Sequence, residues 1–277
     1  MKVALPLILH PWLARWQLIP DGAPFSTHTS VLLPVLIGDQ PAMLKVATAE
    51  EEERGAAVLA WWAGEGAARV LALEGEALLM ERATGPGSLV RMAASGDDDA
   101  ATRILCATAA RLHQPRPDPP ASAAPLETRF AALARAAAGE GGTLARAQAA
   151  ATHLLGTPRE PTVLHGDLHH GNVLDFGARG WLAIDPKGVY GERGYEFANI
   201  FCNPDTATAI APGRLARLAD VVAAAAGIER ARLLTWVLAY AGLSASWSME
   251  DGDNPALALV VAEIAATELA RAHGIHF

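Results

Sequence analysis

One segment, LHGDLHHGNVLDFGARGWLAIDPKG (residues 164–188), concentrates acidic and amide side chains that could hold a divalent cation. Its apolar runs NVLDF and WLAID flank a Gly-Ala-Arg-Gly turn at residues 177–180, which favours a β-hairpin. If that turn closes the hairpin, Asn172 lies opposite Asp185. Opposed residues of an antiparallel pair point to the same face, with Cβ atoms about 5 Å apart. An amide and a carboxylate at that separation can share one divalent ion, so the sequence predicts a metal site there.

Two other aspartates of this segment are expected to act differently. Asp175, in the tripeptide Asp-Phe-Gly, lies on the same strand as Asn172, but it should point to the opposite face, roughly 10 Å away. Asp167 precedes the hairpin in a loop close to the predicted metal site. A carboxylate there can take the proton of an attacking hydroxyl while the metal holds a phosphate chain. His165 is expected to support this loop by hydrogen bonding.

Zinc hydrolysis is the alternative chemistry for the HGDLHH run. Hydrolytic zinc sites usually carry His-x-His or His-Glu-x-x-His, with further ligands elsewhere. Neither pattern is present in the run, and the remaining histidines are scattered along the chain. We therefore interpret His169 and His170 as loop residues near the substrate and reject a zinc site.

The composition of the 277-residue chain limits its class. Apolar residues make up 51% and charged residues 19%, so we expect a substantial core and little disorder. The net charge of −8 argues against a nucleic-acid partner, because phosphate recognition requires basic surface. It is compatible with a cationic small substrate drawn to an acidic cleft.

The cysteines and the hydropathy of the sequence predict the cellular location of the protein. Cys106 and Cys202 lie in apolar surroundings without a Cys-x-x-Cys pattern, which predicts reduced thiols and a cytoplasmic location. The opening MKVALPLILHPW is a poor secretory signal, because a proline breaks its apolar run. The uncharged stretch 233–249 is interpreted as a buried helix that runs into a loop rather than a membrane span.

The flanking sequence predicts two lobes around the hairpin. Residues 1–84 show short strands around one helix: SVLLPVLIGDQPAMLKVA predicts a first hairpin, EEEERGAAVLAWW a helix with an acidic N-terminus, and ARVLAL with EALLMERA a second hairpin. The breaker run TGPGS ends this pattern and predicts a hinge at about residues 80–87. Residues 85–277 are predicted to be mainly helical, with the catalytic hairpin among the helices.

The segment LHGDLHHGN, followed by AIDP, resembles the catalytic segment of the aminoglycoside phosphotransferases, which are antibiotic kinases. The continuation IDPKGVYGERGYEFANIFCNP is similar to the branch that contains streptomycin 6-phosphotransferases and hydroxyurea phosphotransferases. The resemblance covers about residues 20–270 and is strongest at residues 160–205. It implies an α+β, two-lobed protein-kinase-like fold, with a small β-rich N-lobe with one helix, a larger mainly helical C-lobe, and ATP and Mg²⁺ as cofactors.

By this resemblance, Asp167 is the catalytic base, and Asn172 and Asp185 are the magnesium ligands. Lys45, in the strand AMLKV, matches the lysine that binds the α- and β-phosphates. Glu52 best matches the helix glutamate that pairs with this lysine, and Glu53 is the alternative.

The resemblance also assigns residues around the nucleotide. Met80 is the expected gatekeeping side chain, while the Glu81 carbonyl and the Ala83 amide would bind the adenine edge. The family lacks a kinase-type glycine-rich loop, and so does this chain. The hydroxyls and amides of FSTHTS, from Ser26 to Ser30, are therefore expected to cover the phosphates.

The implied reaction is the ATP-dependent phosphorylation of an aminoglycoside hydroxyl, with the 6-hydroxyl of streptomycin preferred, which confers resistance. Streptomycin carries guanidinium groups, and planar guanidinium prefers paired carboxylates. The candidate acceptor-binding residues are therefore acidic, with one tryptophan that could stack: Glu192, Glu196, Trp247, Glu250, Asp251 and Asp253. Lys187, directly after the Asp-Pro, could contact a terminal phosphate or be solvated.

Two alternative functions stay open. One is the same chemistry on hydroxyurea or another small hydroxyl-bearing metabolite, because one fold serves several acceptors. The other is an inactive nucleotide-binding module, which would be expected to lack the base, a metal ligand or the lysine. All of these residue types are present in the expected places.

Overall fold

The computed structural model describes residues 5–272 as a β-rich N-lobe followed by a larger helical C-lobe, in agreement with the predicted fold. The first four and last five residues, which the predicted lobes 1–84 and 85–277 include, lie outside the described residues. The lobe boundary at residue 84 stays a prediction. It falls in a segment without regular structure, between a strand that ends at Glu81 and a helix that begins at Leu89.

The N-lobe is built on one antiparallel sheet. Its strands are β1 (Ile19–Pro20), β2 (Phe25–Ser26), β3 (Ser30–Ile37), β4 (Gln40–Ala47), β5 (Val70–Glu74) and β6 (Ala77–Glu81). The strand order is β1-β3-β4-β6-β5, with β2 paired to β3. Both predicted hairpins are present. Alternating side chains such as Leu33, Val35, Leu44 and Val46 are buried on one face and form the core of this lobe.

From residue 5 onward, the N-lobe has two α-helices rather than the predicted one. The predicted helix is α2 (Glu50–Trp61), and the additional α1 (His10–Arg15) precedes the sheet. Trp12 and Leu13 of α1 pack against the core of the N-lobe sheet. The prediction missed α1 because six residues are too few to show a helical period.

The C-lobe is mainly helical. Its helices are α3 (Leu89–Ala94), α4 (Asp98–Leu112), α5 (Ala131–Glu140), α6 (Gly142–Gly156), α7 (Tyr195–Ala198), α8 (Thr206–Ala209), α9 (Arg214–Ala226), α10 (Arg230–Asp251) and α11 (Ala256–Ala272). The uncharged stretch 233–249 stays helical throughout instead of ending in a loop, because α10 is packed between α6 and α11. Across residues 5–272, the structure contains no helix with the length and apolar character that crossing a membrane requires.

Short strands carry the catalytic segment through the C-lobe. They are β7 (Ala124–Pro125), β8 (Pro161–Leu164), β9 (Val173–Asp175), β10 (Trp181–Ala183) and β11 (Val189–Glu192). Strands β9 and β10 form the predicted hairpin, whereas β11 pairs with β7 and β8 in a separate sheet. The loop between β8 and β9 and the loop between β10 and β11 are joined by a backbone bond, in which the Lys187 N–H donates to the His165 carbonyl at 2.7 Å.

The predicted register of the β9–β10 hairpin is wrong by one residue. The structure pairs Val173 with Ala183, so the next position outward sets Asn172 against Ile184, whose N–H donates to the Asn172 carbonyl at 2.9 Å. The difference arises at the turn, where Phe176 and Gly180 close a three-residue loop with a backbone bond of 2.9 Å. Asn172 and Asp185 consequently lie just beyond the ladder rather than as a facing pair.

Candidate active site

A cavity of about 430 Å³ lies between the two lobes. Its size is within the range of roughly 300–1,000 Å³ that is usual for small-ligand pockets. The lining residues come from the N-lobe sheet, the hinge and the β9–β10 hairpin, and they include Phe25, Thr27, Lys45, Met80, Glu81, Ala83, Asn172, Phe176 and Asp185. The three predicted hinge residues and both predicted metal ligands thus border one space.

A cluster of opposite charges forms one wall of this cavity. Lys45 is only 8% exposed, and its ammonium group donates to one oxygen of Glu52 and to Oδ1 of Asp185. The other oxygen of Glu52, Oε1, accepts from Lys187 Nζ at 2.8 Å and from Thr29 Oγ1 at 2.7 Å. The structure therefore brings together Lys45, Glu52 and Asp185 from three separate parts of the chain. Glu53, the alternative partner, is exposed.

Close backbone packing allows helix α2 to reach the catalytic segment. A Cβ atom placed on Gly55 would lie 1.9 Å from the Pro186 carbonyl oxygen, so only glycine permits this approach. Gly55 lies three residues after Glu52 on α2, and Pro186 directly follows Asp185. The contact therefore fixes the distance between the glutamate and the aspartate that bind Lys45.

Asp185 has an unusual backbone and a strongly perturbed charge. Its φ angle of 60° is in the left-handed region, which is uncommon for a residue other than glycine and often marks functional sites. Burial alone would raise the pKa of Asp185, but the cations of Lys45 and Lys187 lower it to about 2. Burial would lower the pKa of Lys187, but Asp185 and Glu52 raise it. Both groups therefore stay charged at neutral pH.

The loop before β9 holds the Asp167 carboxylate at a defined position. Asp167 Oδ1 accepts from Asn199 Nδ2 at 2.8 Å, and Oδ2 accepts from Asn172 Nδ2 at 3.2 Å. His165 is fully buried. Its Nε2 lies 2.7 Å from the Ile184 carbonyl, and its Nδ1 accepts from the Asp167 N–H at 3.3 Å. These hydrogen bonds are the kind that the predicted supporting role of His165 requires, and that role stays a prediction.

Glu192 and Glu196, predicted to bind the acceptor, are instead buried structural residues. Glu196 is 1% exposed, and its two oxygens accept from the backbone N–H groups of His165 and Gly166 at 2.7 and 2.9 Å. Burial would raise the pKa of Glu196, but the hydrogen bond from His113 lowers it. The prediction was wrong because the sequence shows the acids without their buried partners.

The second of these acids, Glu192, has equally complete partners. Both oxygens bind Arg232, and the indole of Trp236 and the backbone N–H of Arg159 donate to the same carboxylate at 2.8 and 2.9 Å. With 4% exposure, this carboxylate is buried and its oxygens are bound to protein groups. Burying a charge is costly unless the charge is paired and hydrogen-bonded. The ion pair with Arg232 and the hydrogen bonds to Glu192 offset that cost.

Three of the four other acceptor candidates line an open cleft of about 530 Å³ between α2, α5 and α10. Trp247, Glu250 and Asp251 lie there, as does Glu51. The cleft also carries arginines: the guanidinium of Arg129 lies 4.9 Å from the Trp247 ring centroid and binds Glu51 at 2.8 Å. Another, Arg135, binds Glu250 at 2.7 Å. Asp253 is exposed and does not line this cleft.

The predicted phosphate cover is placed differently from the expectation. Ser30 is buried in β3, and its hydroxyl has no hydrogen-bond partner among residues 5–272, while Ser26 is exposed and does not line the cavity. Their neighbours Phe25 and Thr27 line the cavity instead. Thr27 belongs to the predicted Ser26–Ser30 segment, so the segment borders the cavity through Thr27 rather than through its two serines.

Sequence reasoning missed one residue of the site and left the role of a second one open. Asn199 contacts the Asp167 carboxylate, although its only sequence signal was the Ala-Asn…Asn-Pro run. Lys187 was left open between a phosphate contact and solvation, and the structure pairs it with Glu52 and Asp185. Both residues are close to Asp167 or Asp185 in space, but the sequence run that contains them does not say which groups they contact.

Three features together are typical of kinase-like phosphotransferases. The sheet lobe carries a lysine–glutamate pair, the helical lobe carries Asp167, Asn172 and Asp185, and a cavity lies between the two lobes. Residues 15–252 match the sequence profile of the aminoglycoside/hydroxyurea antibiotic resistance kinase family, so the chain belongs to this family. It is accordingly a phosphotransferase that uses an alcohol group as acceptor.

Several curated relatives are similar over most of their length. Streptomycin 3''-kinase of Klebsiella pneumoniae is 55% identical over 243 residues, which cover 86% of this chain and 91% of the relative. Streptomycin 6-kinase of Streptomyces griseus is 33% identical, and the match covers 90% of this chain and 84% of the relative. Hydroxyurea phosphotransferase of Kitasatospora aureofaciens is 32% identical, and the match covers 96% of this chain and 78% of the relative.

Solved structures of aminoglycoside phosphotransferases share the fold. A ternary complex of aminoglycoside phosphotransferase APH(4)-Ia with ADP and hygromycin B gives a TM-score of 0.64 at 15% identity and covers 93% of this chain and 97% of that chain. Aminoglycoside phosphotransferase APH(3'')-Id from Streptomyces rimosus gives a TM-score of 0.61 at 19% identity, and the match covers 85% of this chain and 96% of that chain. The predicted two-lobed kinase-like fold is therefore confirmed.

Proposed function

We propose that this protein transfers the γ-phosphate of ATP to the 6-hydroxyl of streptomycin. The observation that carries the proposal is the arrangement at the cavity wall, where Lys45, Glu52 and Asp185 meet beside Asp167. Phosphoryl transfer depends mainly on alignment and charge neutralisation, and this arrangement supplies both. The relatives named as streptomycin kinases support the choice of acceptor.

The cavity between the lobes is the proposed nucleotide site. The Glu81 carbonyl and the Ala83 amide would bind the adenine edge, with Met80 beside it, since all three residues line the cavity. Lys45, held in place by Glu52, would neutralise the α- and β-phosphates. Thr27 and Phe25, rather than the serines of FSTHTS, are the proposed cover of the phosphates.

The donor set at the hairpin fits Mg²⁺. Carboxylate and amide oxygens are the ligands that this ion prefers. The amide nitrogen of Asn172 donates to Asp167, and within residues 5–272 its Oδ1 accepts no hydrogen bond. Asn172 and Asp185 would therefore hold the ion, which would supply charge neutralisation at the phosphates. Asp167 would orient the acceptor hydroxyl and accept its proton.

The acceptor is proposed to bind in the cleft lined by Trp247, Glu250 and Asp251. Glu51 faces this cleft, and the next residue, Glu52, binds Lys45, so one turn of α2 borders both the cleft and the phosphate side. Carboxylates and an aromatic face suit guanidinium groups, and Arg129 and Arg135 already bind these groups in the cleft. A guanidinium group of streptomycin would therefore have to displace one of these arginines. The two unpaired cysteines, Cys106 and Cys202, accord with the proposed cytoplasmic setting.

A second candidate is phosphorylation of the 3''-hydroxyl of streptomycin. The relative at 55% identity carries that name, whereas relatives at 32% and 33% are named 6-kinases. Hydroxyurea is a further acceptor to include, because a relative at 32% identity phosphorylates it by name.

The test is nucleotide turnover by the purified protein with Mg²⁺, with and without streptomycin, followed by mass analysis and NMR of the drug. We expect streptomycin-dependent ADP release, one added phosphate, and a phosphorus coupling to the proton at position 6. A phosphorus coupling to the proton at the 3''-position would show that the 3''-hydroxyl, rather than the 6-hydroxyl, is phosphorylated. Nucleotide binding without any transfer to streptomycin or hydroxyurea would contradict the proposal.

A further inference from the structure

Asn199 connects the Asp167 carboxylate to the helical scaffold of the C-lobe. It is 5% exposed, lies directly after α7, and donates from Nδ2 to Asp167 Oδ1 at 2.8 Å. Asn203 in turn donates from its own Nδ2 to the Asn199 Oδ1 at 2.8 Å and to the Asn199 carbonyl at 3.0 Å. An amide oxygen only accepts and an amide nitrogen only donates. The Asn203 contact therefore determines which end of the Asn199 amide faces Asp167.

The other groups around Asp167 cannot hold its carboxylate in the same way. Asn172 donates to Oδ2 at the longer distance of 3.2 Å, and it is also a proposed metal ligand. The His169 ring nitrogen lies 3.9 Å from Oδ2, which is beyond hydrogen-bond distance. Of the side chains that contact Asp167 within residues 5–272, Asn199 alone is anchored by a second asparagine outside the hairpin.

We infer that Asn199 is a positioning residue for the transfer reaction, and that Asn203 acts through it. The inference rests on the proposed role of Asp167 as the base. A carboxylate can rotate about its side-chain bonds, and a fixed donor on Oδ1 restricts that rotation and presents Oδ2 toward the acceptor hydroxyl. Misplacement of a reacting group by about 1 Å can reduce the rate about 10²-fold.

Kinetics of two variants test this role. Asn199→Leu removes the donor but keeps an apolar side chain of similar length in the buried position, and Asn203→Ala removes only the group that orients it. We expect kcat to fall about 10²-fold in the first variant and less in the second, while both KM values change little. Asn254→Ala is the matched control, because Asn254 is an exposed asparagine that caps α11. An unchanged kcat in Asn199→Leu would overturn the inference.

A structural readout separates this inference from the proposed function. Crystal structures of the wild type, Asn199→Leu and Asn203→Ala should show the Asp167 carboxylate rotated from its wild-type orientation in both variants. If the wild type fails to phosphorylate streptomycin but the carboxylate rotates, the proposed acceptor is wrong and the positioning role stands. If Asn199→Leu does not fold, Asn203→Ala decides. An unrotated carboxylate there contradicts the inference.

Discussion

The two ends of the β9–β10 hairpin carry similar side chains but have different partners. At its open end, Asn172 and Asp185 border the cavity, and Asp185 binds Lys45. At its turn end, Asp175 accepts from the Gly87 N–H at 2.9 Å, and Arg179 binds the Glu81 carboxylate. The open end thus faces the proposed phosphate site, whereas the turn end holds the segment that joins the lobes.

The same tripeptide that binds magnesium in protein kinases has other partners in this chain. Asp175-Phe176-Gly177 matches the Asp-Phe-Gly that binds magnesium in protein kinases. In this chain its aspartate is bonded to backbone N–H groups of the hinge segment and of its own turn. A Cβ on Gly85 would lie 2.1 Å from the Asp175 carboxyl carbon, so the two segments are in direct contact. The two aspartates differ in their partners because they lie at opposite ends of the hairpin.

The largest expected effect is at the open end, where Asp167 is bonded to Asn172. Asp167→Asn should reduce kcat for streptomycin phosphorylation by about 10²–10⁴-fold, because that is the usual contribution of a general base. The change keeps the shape of the side chain, so the melting temperature and ATP affinity should stay close to those of the wild type. Steady-state kinetics and calorimetric ATP titration measure these quantities. A variant that retains near-normal kcat would remove Asp167 from the mechanism.

A matched pair of substitutions separates the two ends directly. Asp185→Asn should lower activity by more than the roughly 10–100-fold that loss of a supporting residue costs at metal sites, because it removes a proposed ligand and the partner of Lys45. Asp175→Asn, the same chemical change at the turn end, should keep kcat near that of the wild type. It should instead lower the free energy of unfolding by about 1–3 kcal/mol, because a backbone donor loses its acceptor.

Mg²⁺-dependent ATP binding and thermal unfolding of both variants provide the measurement. Equal losses of Mg²⁺-dependent binding in Asp175→Asn and Asp185→Asn would show that the two ends are not functionally distinct.

A smaller effect is expected from Arg179 at the turn end. Arg179→Ala leaves the Glu81 carboxylate without its ion pair and removes a 2.6 Å bond to the Gly64 carbonyl. Hydrogen bonds to charged groups contribute about 1.5–3 kcal/mol, so we expect KM for ATP to rise roughly tenfold with little change in KM for streptomycin. Arg159→Ala, which breaks an exposed arginine–glutamate pair, is the control. A rise confined to the streptomycin KM would place Arg179 in the acceptor site instead.

The smallest effect is expected outside both ends of the hairpin, at the rim of the acceptor cleft. Glu250 is half exposed and paired with Arg135, and exposed pairs contribute about 0.2–1 kcal/mol. Glu250→Gln should therefore raise KM for streptomycin by roughly two- to fivefold without changing KM for ATP. Asp253→Asn, an exposed acid that does not line the cleft, serves as the control. An identical response of the two variants would indicate a general charge effect rather than binding at this cleft.

Much of this architecture could be predicted because it depends on local pattern. Alternating apolar residues in β3 and β4, the acidic start of α2 and the breaker run after Ala83 all correspond to elements in the structure. The spacing of Asp167, Asn172 and Asp185 likewise indicated one site, and these residues do lie around one cavity and its adjoining loop.

The apolar periodicity of the sequence determined the two lobes of this protein. The spacing of its polar residues determined which of them can carry its chemistry. Only the tertiary structure decided the hairpin register, the burial of Glu192 and Glu196, and the contact of Asn199 with Asp167. The physical reason is that each of these depends on a partner far away in sequence. Arg232, for example, lies on α10 and binds Glu192 from a position 40 residues along the chain. A carboxylate becomes structural or reactive according to the donors that folding brings to it.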